Sequence, residues 1–114
     1  MSSIDSFRKK RERQNEAVLA AGNLGIKRFF ALDARAYEPG ALDSKTKELL
    51  GLAASTVLRC DDCITYHLDR CSELKAGDDE ILEALNVALV VGGSIVIPHL
   101  RRAVERLEEI RKNG

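Results

Sequence analysis

Apolar side chains recur along this chain with the period of an α-helix, and no segment alternates with period two for long enough to demand a strand. Leu49, Leu52, Ala53, Thr56 and Val57 fall at i, i+3, i+4, i+7 and i+8, one helical stripe. Ile81, Leu82, Leu85, Ala88 and Leu89 form a second such face. Gly, Pro and Asp residues punctuate the rest. A first helix is predicted from Ser3 to Ala20, broken by Gly22 and Gly25, and a second from about Ile26 to Ala36. Tyr37-Glu38-Pro39-Gly40 reads as a turn. A third helix follows Leu42 with Asp43 or Ser44 as its N-cap. After a break at Arg59 to Asp62, a fourth runs to about Lys75 and stops at Gly77. A fifth begins at Asp78, whose side chain is expected to cap it, with Asp79 and Glu80 suiting the positive end of the helix dipole. Gly92-Gly93 ends or bends it, and a last helix covers Ser94 or Pro98 to Lys112. The expected fold is all-α: one domain over residues 1–114, a bundle of about six helices without repeats or linkers.

One segment, Leu85-Asn86-Val87-Ala88-Leu89-Val90-Val91, is apolar nearly all round. A surface helix of a small monomer is not. It is either the central core helix or shared between subunits. Large apolar patches seldom stay exposed, so a homo-oligomer is expected.

Composition narrows the partners. The chain has 114 residues, a size that suits one domain, and its 45% hydrophobic and 32% charged residues are globular proportions. With 4% aromatics and no Trp, the core must be built from Leu, Ile, Val and Ala. The formal net charge is zero, which argues against a dedicated nucleic-acid binder. The run Arg8-Lys9-Lys10-Arg11-Glu12-Arg13 reads as a solvated helix face. The longest apolar stretch, Ala84 to Ile97, is interrupted by Asn86, Gly92 and Gly93. It falls short of the roughly 20 residues a spanning helix needs. Met1 to Ser6 lacks the apolar core of a signal peptide. A soluble, cytoplasmic protein with no membrane partner is expected. Thiols are kept reduced there, so its three cysteines do not read as a disulfide scaffold.

The chemistry lies in Cys60-Asp61-Asp62-Cys63-Ile64-Thr65-Tyr66-His67. If the fourth helix starts near Cys60, both cysteines occupy its first turn, where unpaired N–H groups and the dipole favour a thiolate. At about 100° per residue, Cys60, Cys63 and His67 project near 0°, −60° and −20°, on one face. His67 is one turn beyond Cys63, within hydrogen-bonding range, and an imidazole there can take a thiol proton. Two thiols at this spacing can also cycle between dithiol and disulfide.

The same residues admit other readings. The two cysteines could simply be small buried residues. Zinc could be held by Cys60, Cys63, His67 and Cys71, but a continuous helix puts Cys60 and Cys71 about 16 Å apart. All zinc ligands must lie within about 2.3 Å of the ion. A helix break, or a ligand such as His99, would be required. Thioredoxin is disfavoured because its CxxC follows a strand. Cys71 reads as core filler and His99 as a helix-terminus or interface residue with no second residue to pair with it. No metal or cofactor is called for.

The stretch Lys47-Glu48-Leu49-Leu50-Gly51-Leu52-Ala53-Ala54-Ser55, followed by Cys60-x-x-Cys63-x-x-x-His67, resembles the carboxymuconolactone decarboxylase superfamily in its alkylhydroperoxidase D-like branch. Gly92-Gly93 and the Pro98 to Ala103 stretch add to the likeness, which covers roughly residues 24 to 105. The resemblance implies an all-helical fold assembled as trimers or hexamers and a peroxide- or disulfide-reducing dithiol. It maps the family's relay glutamate onto Glu48, its cysteines onto Cys60 and Cys63, and its relay histidine onto His67. Glu48 reaches His67 only if helices three and four fold back as a hairpin. Two departures stand out. The family's hydroperoxidases carry two such helical units where this chain has one. Its decarboxylases lack the CxxC pair, which disfavours lactone decarboxylation here.

The expected function is therefore a thiol-dependent peroxidase or disulfide reductase. Its substrate would be a hydroperoxide or a disulfide, its reductant a protein or small thiol of unidentified kind. Cys63 is expected to be the His-activated thiolate and Cys60 the resolving, more exposed one, with the reverse assignment open. The alternative from another class is a non-catalytic oligomeric redox sensor in which Cys60–Cys63 oxidation reshapes an interface.

Overall fold

Six α-helices and one 3₁₀ turn make up the computed structural model, which describes residues 3–113, and no strand occurs among the described residues. They are α1 (Ser3–Ala20), α2 (Leu24–Ala36), α3 (Ser44–Val57), α4 (Asp61–Glu73), α5 (Asp78–Gly92), the 3₁₀ turn (Ser94–Val96) and α6 (Ile97–Asn113). The all-helical reading of the pattern holds. The chain divides into two compact units, Met1–Glu38 and Pro39–Gly114.

In the first unit α2 starts two residues earlier than the glycine punctuation predicted. Asn23 is its N-cap and accepts from the Ile26 N–H at 3.0 Å, so Gly25 lies inside the first turn. The basic run Arg8–Arg13 is exposed along α1, as a solvated face should be, with Arg8 paired to Asp5 at 3.1 Å.

In the second unit α3 packs between α4 and α5, and α4 packs in turn on α6. The core joins Leu52, Ile64, Leu68, Ile81, Leu85, Ala88, Val96, Ala103, Leu107 and Ile110. Asp43 caps α3, accepting from the Thr46 N–H at 2.7 Å. The end of α3 decides the geometry that follows. Leu58 is its C-cap, and Arg59 takes the left-handed conformation at φ 60°. The Arg59 N–H reaches the Thr56 carbonyl at 3.0 Å, and the Cys60 N–H the Ser55 carbonyl at 3.1 Å. This is a Schellman closure with arginine where glycine is usual. It reverses the chain within three residues and makes α3 and α4 an antiparallel hairpin. The same closure recurs after α4, with Lys75 at φ 66° and the Ala76 N–H on the Cys71 carbonyl at 2.9 Å. Helix α4 thus stops before Gly77, because a left-handed lysine supplies the turn.

The start of α5 differs from the expected cap. Gly77 holds the N-cap position and its N–H donates to Glu80 Oε1 at 2.9 Å. Asp78 instead accepts from Arg111 Nε at 2.7 Å, and Arg111 also donates to the Ala76 carbonyl at 2.8 Å. The apolar run on α5 is only partly core. Ile81, Leu85 and Ala88 are buried, whereas Leu82, Val87, Val90 and Val91 are exposed. Gly92-Gly93 ends the helix for two separate reasons. A Cβ on Gly92 would run into the Val96 side chain, and Gly93 sits at φ 82°, ψ −170°, a region only glycine occupies readily.

Candidate active site

The α3–α4 turn places Cys60 at the N-cap of α4 and Cys63 in its first turn. Their Cα atoms are 5.3 Å apart and their sulfurs are joined as a disulfide. Cys60 Sγ accepts from the Cys63 N–H at 3.2 Å, so this sulfur stands where an N-cap oxygen normally does. In the reduced protein a thiolate there would receive the same N–H together with the positive end of the helix. The exposure of the pair is the reverse of that expected: Cys63 is exposed and Cys60 half-buried. Cys60 is drawn in by the Schellman bond from its own amide.

His67 follows Cys63 by one turn of α4 and is buried. Helical side chains lean toward the N-terminal turn, which directs the imidazole toward the cysteine end. Its Nδ1 lies 2.7 Å from Glu48 Oε1. Only a proton on Nδ1 satisfies a contact with a carboxylate, so in the neutral ring Nε2 carries the lone pair. Glu48 is 1% exposed. Lys45, three residues before it in the chain, pairs instead with Glu80 at 2.9 Å. Arg70 Nε lies 3.7 Å from Glu48 Oε2, a second cation for the buried anion. No buried side-chain nitrogen or oxygen among the described residues lacks a hydrogen-bond partner.

All four residues singled out in the sequence, Cys60, Cys63, His67 and Glu48, thus converge on one hairpin. Of the other two, Cys71 lies farther along α4 in the core and His99 lies on α6. Cys71 is fully buried, and burial, reinforced by Glu48 and Glu80, pushes its thiol up to about 12. The zinc set is not assembled: Cys60 and Cys63 are bonded to each other, His67 to Glu48, and Cys71 lies in the core. Among the described residues no group of three or more His, Cys, Asp or Glu is arranged to hold a metal ion. His99 does have a partner, one that sequence reasoning missed. Its Nδ1 lies 2.8 Å from Asp61 Oδ1, and Arg102 Nε donates to Asp61 Oδ2 at 2.9 Å. Separations of 38 and 41 residues left no local signal for it. No described helix is long and apolar enough to cross a membrane.

Comparison with known proteins identifies relatives of this chain and of its fold. The model of the carboxymuconolactone decarboxylase family matches residues 26–106. A crystal structure of a Thermotoga maritima protein superposes with a TM-score of 0.92 at 65% identity, covering 96% of this chain and 98% of that one. A second crystal structure of the same protein, at 64% identity and a TM-score of 0.90, covers 94% of this chain and 91% of that one. It is described as a carboxymuconolactone decarboxylase family protein and carries the suggestion of a part in an "antioxidative response". A Legionella pneumophila member of that family, crystallised in its apo form, superposes with a TM-score of 0.87 at 29% identity over 96% of this chain and 98% of that one. A Paracoccus denitrificans protein named for its place in the cox locus is 33% identical over 82 residues, 72% of this chain and 74% of that protein.

Proposed function

The chain belongs to the carboxymuconolactone decarboxylase family, and we propose that it works as a thiol-dependent peroxidase or disulfide reductase. Cys60 and Cys63 are the redox pair, and His67 and Glu48 the proton relay. The observation that carries this reading is the buried 2.7 Å bond from His67 to Glu48, on the hairpin that also brings Cys60 and Cys63 within disulfide reach. Burying a carboxylate is costly unless it is paired, and here its partner is a histidine one turn from a thiol. The antioxidative part suggested for the Thermotoga protein supports the same reading.

In the reduced pair His67 Nε2 takes the Cys63 proton, and the Glu48 carboxylate stabilises the resulting imidazolium. The thiolate attacks one oxygen of a hydroperoxide. The O–O bond breaks, the alcohol leaves with the proton returned by His67, and Cys63 becomes a sulfenic acid. Cys60 attacks that sulfur, a disulfide forms, and the hydroxyl leaves as water with the Cys60 proton. The two electrons come from the pair, and an external dithiol or two small thiols restore it by exchange. With a disulfide as substrate, the same thiolate attacks sulfur in place of oxygen. Cys63 is the attacking group on this reading because it is the exposed thiol and lies one turn from His67.

Stopped-flow oxidation of the reduced protein by a small organic hydroperoxide, with thiol counting, tests this. Two of the three thiols should disappear while Cys71 survives, and Cys63→Ser should abolish the fast phase. With excess dithiol the protein should consume many equivalents of peroxide. A single oxidation without turnover would favour a redox sensor. Oxidation no faster than that of a free thiol would end both readings.

A further inference from the structure

Asp61 stands between the two cysteines, directly after Cys60 and two residues before Cys63, and the proposed chemistry makes no use of it. Each of its carboxylate oxygens has a donor from α6: His99 Nδ1 at 2.8 Å on Oδ1 and Arg102 Nε at 2.9 Å on Oδ2. Arg102 Nη2 also lies 3.2 Å from His99 Nδ1, but that nitrogen gives its proton to Asp61, so the carboxylate is what links the two α6 side chains into one set. Partial burial raises the Asp61 carboxyl, but the His99 bond and the Arg102 charge outweigh it and hold the group below its ordinary value. It is therefore a carboxylate at neutral pH.

A lone carboxylate in the first turn of α4 would favour the helix but oppose a thiolate beside it. Arg102 supplies the compensating charge. The two bonds also fasten the cysteine-bearing end of α4 to the start of α6. We propose that Asp61, His99 and Arg102 form a charge-compensating positioning set that fixes the Cys60–Cys63 turn and tunes the acidity of its thiols. This rests on the dithiol reading above, with Asp61 and Arg102 acting through the sulfurs and touching no substrate.

The test uses the full chain in its reduced form and follows the rate of iodoacetamide alkylation against pH. It reads the pKa of the reactive thiol without any peroxide. Arg102→Gln removes the positive end of the pair and should raise that pKa. Asp61→Asn removes the negative end, leaves Arg102, and should lower it. Each shift should be several tenths of a unit, since both groups are partly solvent-screened. The double variant should return close to wild type, Arg102→Lys should stay near it, and added salt should shrink both single shifts. If the two single variants move the pKa in the same direction, or neither moves it, the set is only a tether and the proposal fails. Should Arg102→Gln not fold, Arg102→Met, which also removes the charge, must raise the pKa. Failure of peroxide turnover in the wild type would remove the functional reading but not this comparison, because alkylation needs only a reduced pair.

Discussion

Glu48 Oε1 and His67 Nδ1 lie 2.7 Å apart although 19 residues separate them in the chain. The contact joins the outward-running α3 to the returning α4, and both residues are buried. In the relay proposed above, the carboxylate fixes the ring tautomer and orients the imidazole. Glu48→Gln keeps an acceptor for the Nδ1 proton but removes the charge. Peroxide oxidation should slow by roughly ten- to a thousand-fold, the span of general acid–base assistance, while the circular dichroism spectrum is retained. An unchanged stopped-flow rate would take Glu48 out of the relay.

Thiol acidity should separate the three cysteines. In the reduced native protein one thiol of the Cys60–Cys63 pair should titrate below the free value of about 8.5. His67→Ala should raise it, because the proton acceptor is gone. Alkylation against pH reads both, and no change in His67→Ala would mean a structural histidine.

Cys71 should affect stability at alkaline pH. Its thiol is raised from 9.0 to about 12 by burial, with Glu48 and Glu80 adding to the shift. The folded state therefore holds this proton more tightly than the unfolded one. The stabilisation is complete below pH 9.0 and is lost as pH climbs toward 12. Cys71→Ala should flatten that part of the profile in denaturant melts of the reduced protein. A profile identical to wild type would contradict the assignment.

Arg59 occupies the left-handed region at φ 60°, which is unfavourable for a side chain bearing a Cβ. Arg59→Gly should stabilise the fold by about 0.5–1 kcal/mol, and Arg59→Val should destabilise it by about 1–2 kcal/mol. Chemical denaturation measures both. A loss of stability in Arg59→Gly would show that the arginine side chain contributes more than its backbone costs.

Gly92 faces a fixed neighbour. An added Cβ would meet Val96, which is fully buried and stiff at χ1, and would also come within 4.0 Å of the Val57 backbone. Gly92→Ala should cost about 1–3 kcal/mol, the usual penalty of overpacking. A melting temperature equal to wild type would mean that the 3₁₀ turn shifts freely.

The exposed Val87, Val90 and Val91 on α5 motivate an assembly prediction. The protein should run as a homo-oligomer, with a trimer or hexamer in keeping with the resemblance. Light scattering at low micromolar concentration should give a multiple of 12.6 kDa, and a clean 12.6 kDa species would overturn the prediction.

Much of the fold and of the candidate site was determined locally, and so was legible in the sequence. Helical periodicity and the Asp43 cap located α3, and the CxxCxxxH spacing placed Cys60, Cys63 and His67 on one helix. The burial of Glu48 does not follow from that periodicity: the expected stripe is Leu49, Leu52, Ala53, Thr56 and Val57, whereas the buried positions of α3 are Glu48, Leu52, Ser55 and Thr56, and only the resemblance points to Glu48. Tertiary structure decided what local patterns cannot carry. The Schellman closure at Arg59 has no glycine to announce it, yet it folds α3 against α4 and brings Glu48 to His67. It also draws Cys60 inward and leaves Cys63 the more exposed thiol. The bonds from His99 and Arg102 to Asp61 arise only when α6 packs on α4, because hydrogen bonds across 38 and 41 residues depend on how helices pack and not on the spacing within any one of them.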